Sequence, residues 1–176
     1  ANLAAAILAA GALGLREEEM RRGLAGFAGS PHRGVVMEMA GRTVLDDCYN
    51  ANPVSMVAAG QALGKLPGQG KILAVLGPMA ELGDDSRAIH EKTGRDLAGG
   101  PVELLVAVGE NARPLAEGFD AGGAVGHYCS GLEEAADLVA RLTNAGDRLL
   151  VKGSRSAAME EILPLLEAAF RKRNNT

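Results

Sequence analysis

Ile72-Leu73-Ala74-Val75-Leu76 and Leu104-Leu105-Val106-Ala107-Val108 are two runs of five apolar residues with no polar position in either. A strand with one wet face alternates apolar and polar residues, so unbroken runs of this length predict strands covered on both faces. Working outward, strands are expected at 71–76, 104–108, 125–129 and 148–151, each followed by a segment with helical spacing, at 86–97, 112–119, 132–142 and 157–170. A further helix, 54–66, precedes the first of them, and the short runs 35–39 and 43–46, joined by Ala40-Gly41-Arg42, read as a hairpin. Doubly buried strands alternating with helices predict an α/β fold, a mostly parallel sheet with helices on both faces.

The beginning of the chain has a different character. Residues 2–14 are Ala-rich and close on a glycine, Gly14. A second short helix follows, with Glu17, Glu18 and Glu19 in its first turn and Arg21 and Arg22 near its end, an order of charge that complements the helix dipole. Then Gly29-Ser30-Pro31-His32-Arg33-Gly34 interrupts all periodicity and reads as a linker, which puts a domain boundary at 31–34. The polar tail 171–176 is expected to fray.

Composition narrows the function classes. The chain has 176 residues, of which 47% are apolar, 23% charged and 3% aromatic, enough for one sizeable core. Its net charge is −4 with 18 scattered basic residues, which argues against a nucleic-acid binder. The longest apolar stretch, 3–15, is too short and too rich in Ala and Gly to span a bilayer. Cys48 and Cys129 form no metal-ligand spacing and read as packing residues. No metal site is expected, and a cytoplasmic monomer is the plain expectation.

In an open parallel sheet, ligands bind beyond the carboxyl ends of the strands, and unusual residues cluster there. The hairpin runs into Asp46-Asp47-Cys48-Tyr49-Asn50-Ala51-Asn52-Pro53, where Asn52 and Pro53 suit the start of a helix. The strand 71–76 ends in Gly77-Pro78-Met79-Ala80-Glu81-Leu82-Gly83, and the last strand in Lys152-Gly153-Ser154-Arg155-Ser156. Each has a plainer alternative: turn carboxylates, a helix cap, a solvated loop, and for His90 a packing histidine. The sequence lacks a GxxxxGK[ST] phosphate loop, a strand-following GxGxxG and a GxSxG elbow. Spacing alone leaves an α/β domain with a polar ligand rim.

Taken together, Asp46 to Met56 (DDCYNANPVSM), Leu76 to Gly83 (LGPMAELG) followed by His90, and Leu150 to Arg155 (LVKGSR) followed by Met159-Glu160 resemble the MurF family of Mur ligases. Asn2 and the alanines after it resemble the end of that family's HNxxNxxAA helix. Pro31-His32-Arg33 resembles its PGR linker, with His where Gly is usual, a residue that disfavours the positive φ glycine permits. The resemblance implies that 1–33 is the tail of a central ATPase domain and 34–176 a Rossmann-like C-terminal domain. The implied reaction adds D-alanyl-D-alanine to a UDP-N-acetylmuramoyl-tripeptide through an acyl phosphate, using ATP and magnesium, in peptidoglycan precursor synthesis. Those MgATP phosphates would be held mainly by a part of the family's enzymes outside this stretch, and Lys152 is not the carbamylated lysine found there.

By the same resemblance Asp47, Asn50, Asn52, Arg33 and Asn2 fall on the nucleotide side, with Asp46 and Asp47 not separable as the ribose acceptor. Lys152, Ser154 and Arg155 fall toward the dipeptide or the anionic reaction centre, His90 counts with them as substrate-binding, and no catalytic residue is assigned. Two alternatives stand beside this reading. One is another amide ligase of the superfamily, whose members are typified by a His where this chain has Tyr49-Asn50-Ala51-Asn52-Pro53. The other is a non-catalytic nucleotide-binding module.

Overall fold

A computed structural model describes residues 2–26 and 29–174, Asn2 by its backbone alone. The expected nucleotide-side role of the Asn2 side chain therefore lies outside the described residues. The chain divides into two compact units, Ala1–Ser30 and Pro31–Thr176, a cut inside the segment read as a linker. The first unit holds α1 (Asn2–Ala12) and α2 (Glu17–Ala25). The Arg16 backbone N–H donates to the Glu19 carboxylate (2.8 Å), closing the first turn of α2. None of residues 3–26 is buried, and Leu8 and Leu13 lie open at 74% and 81%.

The second unit runs β1 (Val35–Met39), β2 (Arg42–Asp47), α3 (Pro53–Lys65), β3 (Ile72–Leu76), α4 (Ser86–Ala98), β4 (Leu104–Val108), α5 (Arg113–Ala121), β5 (Val125–Cys129), α6 (Leu132–Leu142), β6 (Arg148–Lys152) and α7 (Ile162–Asn174). The six strands order as β1-β2-β6-β3-β4-β5. Every neighbouring pair is parallel except the β1–β2 hairpin. Its turn residues, Ala40 and Gly41, both have positive φ (+49° and +81°), the twist a two-residue hairpin needs. The unbroken apolar runs are explained by two cores. Leu73, Val75, Val106 and Leu149 face one with Val139, Ile162, Leu166 and Phe170 of α6 and α7. Ile72, Ala74, Leu105 and Leu150 face the other with Met56, Leu63, Leu97 and Phe119 of α3, α4 and α5.

The end of the chain departs from expectation twice. The last helix begins at Ile162 rather than 157, because Ala158 takes φ +45° and splits residues 155–161 into two short 3₁₀ turns. The tail is helical to Asn174 instead of fraying, since Arg173 donates to the carbonyls of Ala140 and Thr143 at the end of α6. Arg42, read as part of a turn, is a core residue. Its guanidinium donates to Thr143 Oγ1 (3.0 Å), Thr143 O (2.8 Å) and Ala40 O (3.0 Å), and lies 4.1 Å from the Phe170 ring centroid. Cys48 and Cys129 are free and buried, and burial pushes both thiols up. Among the described residues no helix is long and apolar enough to cross a membrane.

Candidate functional site

The carboxyl ends of β2, β6 and β3 are level, with Asp47 opposite Lys152 and Lys152 opposite Leu76. The loops 48–52, 153–158 and 77–83 therefore leave the sheet side by side. Beyond the strands the Gly77 N–H donates to Lys152 O (2.8 Å) and the Ser154 N–H to Pro78 O (2.9 Å). Met159 packs tightly behind both loops: a Cβ at Gly77 would lie 2.7 Å from its sulfur, and one at Gly153 2.5 Å from its Cγ. Only glycine lets the two loops approach that side chain so closely.

Two clefts open on this rim and share Tyr49, Asn50 and Asn52. The first, about 370 Å³, adds Arg33, Asp47, Ser55 and Lys152. The second, about 780 Å³, adds Glu81, Leu82, Arg155 and Ser156. Asn52 caps α3: its Oδ1 accepts from the Ser55 N–H (2.8 Å), and the Ser55 hydroxyl answers on the Asn52 backbone. The plain cap reading is thus correct for this residue, and the cap also forms cleft wall. Asn50 Oδ1 accepts from the Ala51 N–H (2.8 Å), and the residue lines both clefts. Arg33 stacks on Tyr49, 3.5 Å from the ring centroid.

The two adjacent aspartates, indistinguishable in sequence, have different surroundings. Asp46 is buried; its Oδ2 meets His32 Nδ1 at 2.7 Å and its Oδ1 accepts from the Cys48 N–H (3.2 Å). His32 has φ +59°, so the residue that replaces a customary glycine does adopt the glycine conformation. The Asp46 bond and a 2.9 Å bond from the Tyr49 N–H to His32 O hold it there. Asp47 faces the first cleft, its carboxylate 26% exposed.

Three of the four residues expected to bind substrate, at the dipeptide or the anionic reaction centre, do not line the second cleft. Lys152 is 2% exposed, and its ammonium donates to the Asp47 carboxylate, to Asp47 O (3.4 Å) and to Asn50 O (2.8 Å). All three donors of the ammonium are used, so it ties the 47–50 loop to β6 on the Asp47 side. Ser154 is 1% exposed, its hydroxyl 3.2 Å from that of Ser156. His90 has no exposed surface; its Nε2 accepts from the Met79 N–H (2.9 Å) and its Nδ1–H donates to Ser86 O (2.7 Å). Burial pushes its pKa down against the Ser86 bond, so the ring is neutral and holds the 77–83 loop from within. Arg155 alone of the four lines the second cleft, 63% exposed and paired with Glu160. Burial raises the Glu160 carboxyl, but its own backbone N–H and Arg155 outweigh that and hold it low. Ser156, Glu81 and Tyr49 were not singled out from sequence. Tyr49 and Glu81 do belong to the motif segments that carry the family resemblance, whereas the signal for Ser156 is its position alone, next to Arg155.

Residues 32–155 match the Mur ligase glutamate ligase domain, well over half of the chain. The chain belongs to the Mur ligase family. It is 34% identical over 176 residues to the UDP-N-acetylmuramoyl-tripeptide–D-alanyl-D-alanine ligase of Escherichia coli K12, covering 95% of this chain and 36% of that protein. To the Bacillus subtilis 168 ligase of the same name it is 32% identical, covering 92% and 36%. Among solved structures, MurF from Acinetobacter baumannii superposes with a TM-score of 0.85 at 34% identity, over 95% of this chain and 37% of that one. MurF ligase from Thermotoga maritima in complex with ADP gives 0.80 at 27% identity, over 98% and 38%. The chain thus spans little more than a third of the length of these relatives. The mostly parallel six-stranded sheet is the MurF C-terminal fold.

Proposed function

We propose that this chain is the nucleotide- and dipeptide-facing C-terminal part of an ATP-dependent ligase that adds D-alanyl-D-alanine to a UDP-N-acetylmuramoyl-tripeptide in the cytoplasm. In this reading residues 1–33 end a central ATPase domain and 34–176 form the domain that closes over it. The observation that carries the proposal is the pair of clefts around one loop, Tyr49 to Asn52, on a fold at least 32% identical to two curated ligases of that name. Asp47 offers the first cleft a carboxylate with one oxygen free of Lys152, an acceptor for ribose hydroxyls. Asn50 and the Arg33–Tyr49 stack would flank the nucleoside. Arg155, at the second cleft, offers a planar donor pair to a carboxylate.

ATP would phosphorylate the tripeptide carboxylate and leave as ADP, and the dipeptide amine would attack the acyl phosphate, losing a proton and expelling inorganic phosphate, with closure aligning the two and excluding water. Magnesium would travel with the ATP phosphates. This rim does not suit it as a protein site, because the Asp47 carboxylate is already neutralised by a buried ammonium. Absence of the superfamily's His within Tyr49-Asn50-Ala51-Asn52-Pro53 favours the dipeptide-adding member over its relatives.

The test is phosphate release. The full-length ligase should require ATP, UDP-tripeptide and D-alanyl-D-alanine together, and the 176-residue chain alone should release none above background. Equal turnover with a single amino acid in place of the dipeptide overturns the substrate assignment. Turnover by the isolated chain overturns the division of labour between domains.

A further inference from the structure

Glu81 lines the second cleft, is exposed, and has φ +62°, a conformation an L-residue with a long side chain adopts at a cost. Among the described residues its carboxylate makes no hydrogen bond or ion pair, whereas Arg155 on the same cleft does. The neighbouring loop position 83, a glycine at the same φ, shows how readily the strain could be avoided. His90 fixes this loop through the Met79 N–H, two residues from Glu81. Apart from Glu81 and Arg155, the described lining is neutral. One acid and one base in an otherwise uncharged cleft complement a small zwitterion, with its carboxylate at Arg155 and its amino end at Glu81.

From this geometry we infer that Glu81 is a specificity-determining residue that accepts from the amino group of the incoming dipeptide. The inference rests on reading the second cleft as the dipeptide site. Strain is retained at Glu81 because the left-handed backbone turns its carboxylate onto the cleft. A charge-assisted hydrogen bond of this kind corresponds to about a ten- to hundredfold change in affinity.

The experiment is steady-state kinetics of the full-length ligase with Glu81→Gln, Glu81→Gly and, as a control in the same loop but off the cleft, Asp84→Asn. Both Glu81 variants should raise the KM for D-alanyl-D-alanine about tenfold or more and leave the KM for ATP within about twofold. The hydroxy analogue D-lactyl-D-alanine, which has no amine, should inhibit wild-type and Glu81→Gln equally well. Glu81→Gly should melt no lower than wild-type, because glycine adopts this backbone freely. Asp84→Asn should change nothing. Unchanged dipeptide KM in Glu81→Gln, or equal weakening of the hydroxy analogue, overturns the role of Glu81. A wild-type enzyme indifferent to D-alanyl-D-alanine overturns the reading of the site instead, so the two failures are distinguishable.

Discussion

In the Asp47 cleft the carboxylate is already paired: a buried ammonium is bonded to three acceptors, two on Asp47 and one on Asn50. In the Arg155 cleft the charges are more open: Glu81 sits on a strained backbone with no ion pair among the described residues, and Arg155, 63% exposed, pairs with the largely buried Glu160. The first arrangement holds a loop in shape, and the second presents charge to a ligand. Substitution of the buried Lys152 should therefore register in stability, and substitution of the charges that line either cleft in kinetics.

The largest effect is expected from Lys152→Met, which leaves Asp47 and the Asn50 carbonyl without their shared donor. Removing one member of a buried pair costs 3–5 kcal/mol, and partial exposure of Asp47 brings the expectation to about 3 kcal/mol. Urea unfolding of the 176-residue chain measures it. A cost below about 1 kcal/mol would mean that the ammonium does not organise the loop.

Next in size, Asp47→Asn in the full-length ligase keeps an acceptor for Lys152 but removes the charge offered to the nucleotide. The KM for ATP should rise by about tenfold or more while that for the dipeptide stays within about twofold. The reverse pattern would exchange the roles of the two clefts. Arg155→Ala is the mirror test. Because its partner Glu160 is only 17% exposed, the change should cost about 1–3 kcal/mol in stability, and it should raise the dipeptide KM about tenfold. Arg155→Lys should restore part of that, since an ammonium lacks the planar fork. Kinetics within about twofold of wild-type in Arg155→Ala would leave the arginine a solvated surface residue.

The contrast between the clefts also marks where sequence reading stops. Strands such as β3 and β4 are legible because their signal, unbroken apolarity, is contained within five residues. Asn52 and Pro53 announce α3 for the same reason. Lys152, Arg42 and His90 look in sequence like surface or site residues, because a polar residue's burial depends on its partners. Lys152 meets Asp47 105 residues away and Arg42 meets Thr143 101 residues away. The KGSR segment shows the limit best: of its polar side chains, alternate ones turn inward at the end of a parallel strand, and only Arg155 points to the second cleft.

A smaller effect separates the two loops by pH. His90 is held neutral in the folded chain with its pKa pushed below 6.5, so the unfolded chain takes up the proton first as pH falls. Stability should therefore drop as pH decreases through about 6.5, with a slope of at most about 1.4 kcal/mol per pH unit from this one group. His90→Gln, which can still accept from Met79, should flatten that slope. An unchanged slope would assign the acid sensitivity to other groups.

The smallest effect sits at His32, where two contributions oppose each other. The left-handed φ of +59° costs a non-glycine residue about 1 kcal/mol, and the bond to buried Asp46 returns a similar amount. His32→Gly removes both, so its net change should be under about 1 kcal/mol, the water that enters at this partly exposed position solvating Asp46. His32→Ala keeps the strain while losing the bond. It should be less stable than His32→Gly by about 1 kcal/mol, the difference in backbone cost alone. Urea midpoints for the three proteins isolate that difference without any assumption about the bond, since neither variant can make it. Equal midpoints for the alanine and glycine variants would show that position 32 relaxes out of the left-handed region once the imidazole is gone, and that the Asp46 bond imposes the glycine-like turn rather than merely tolerating it.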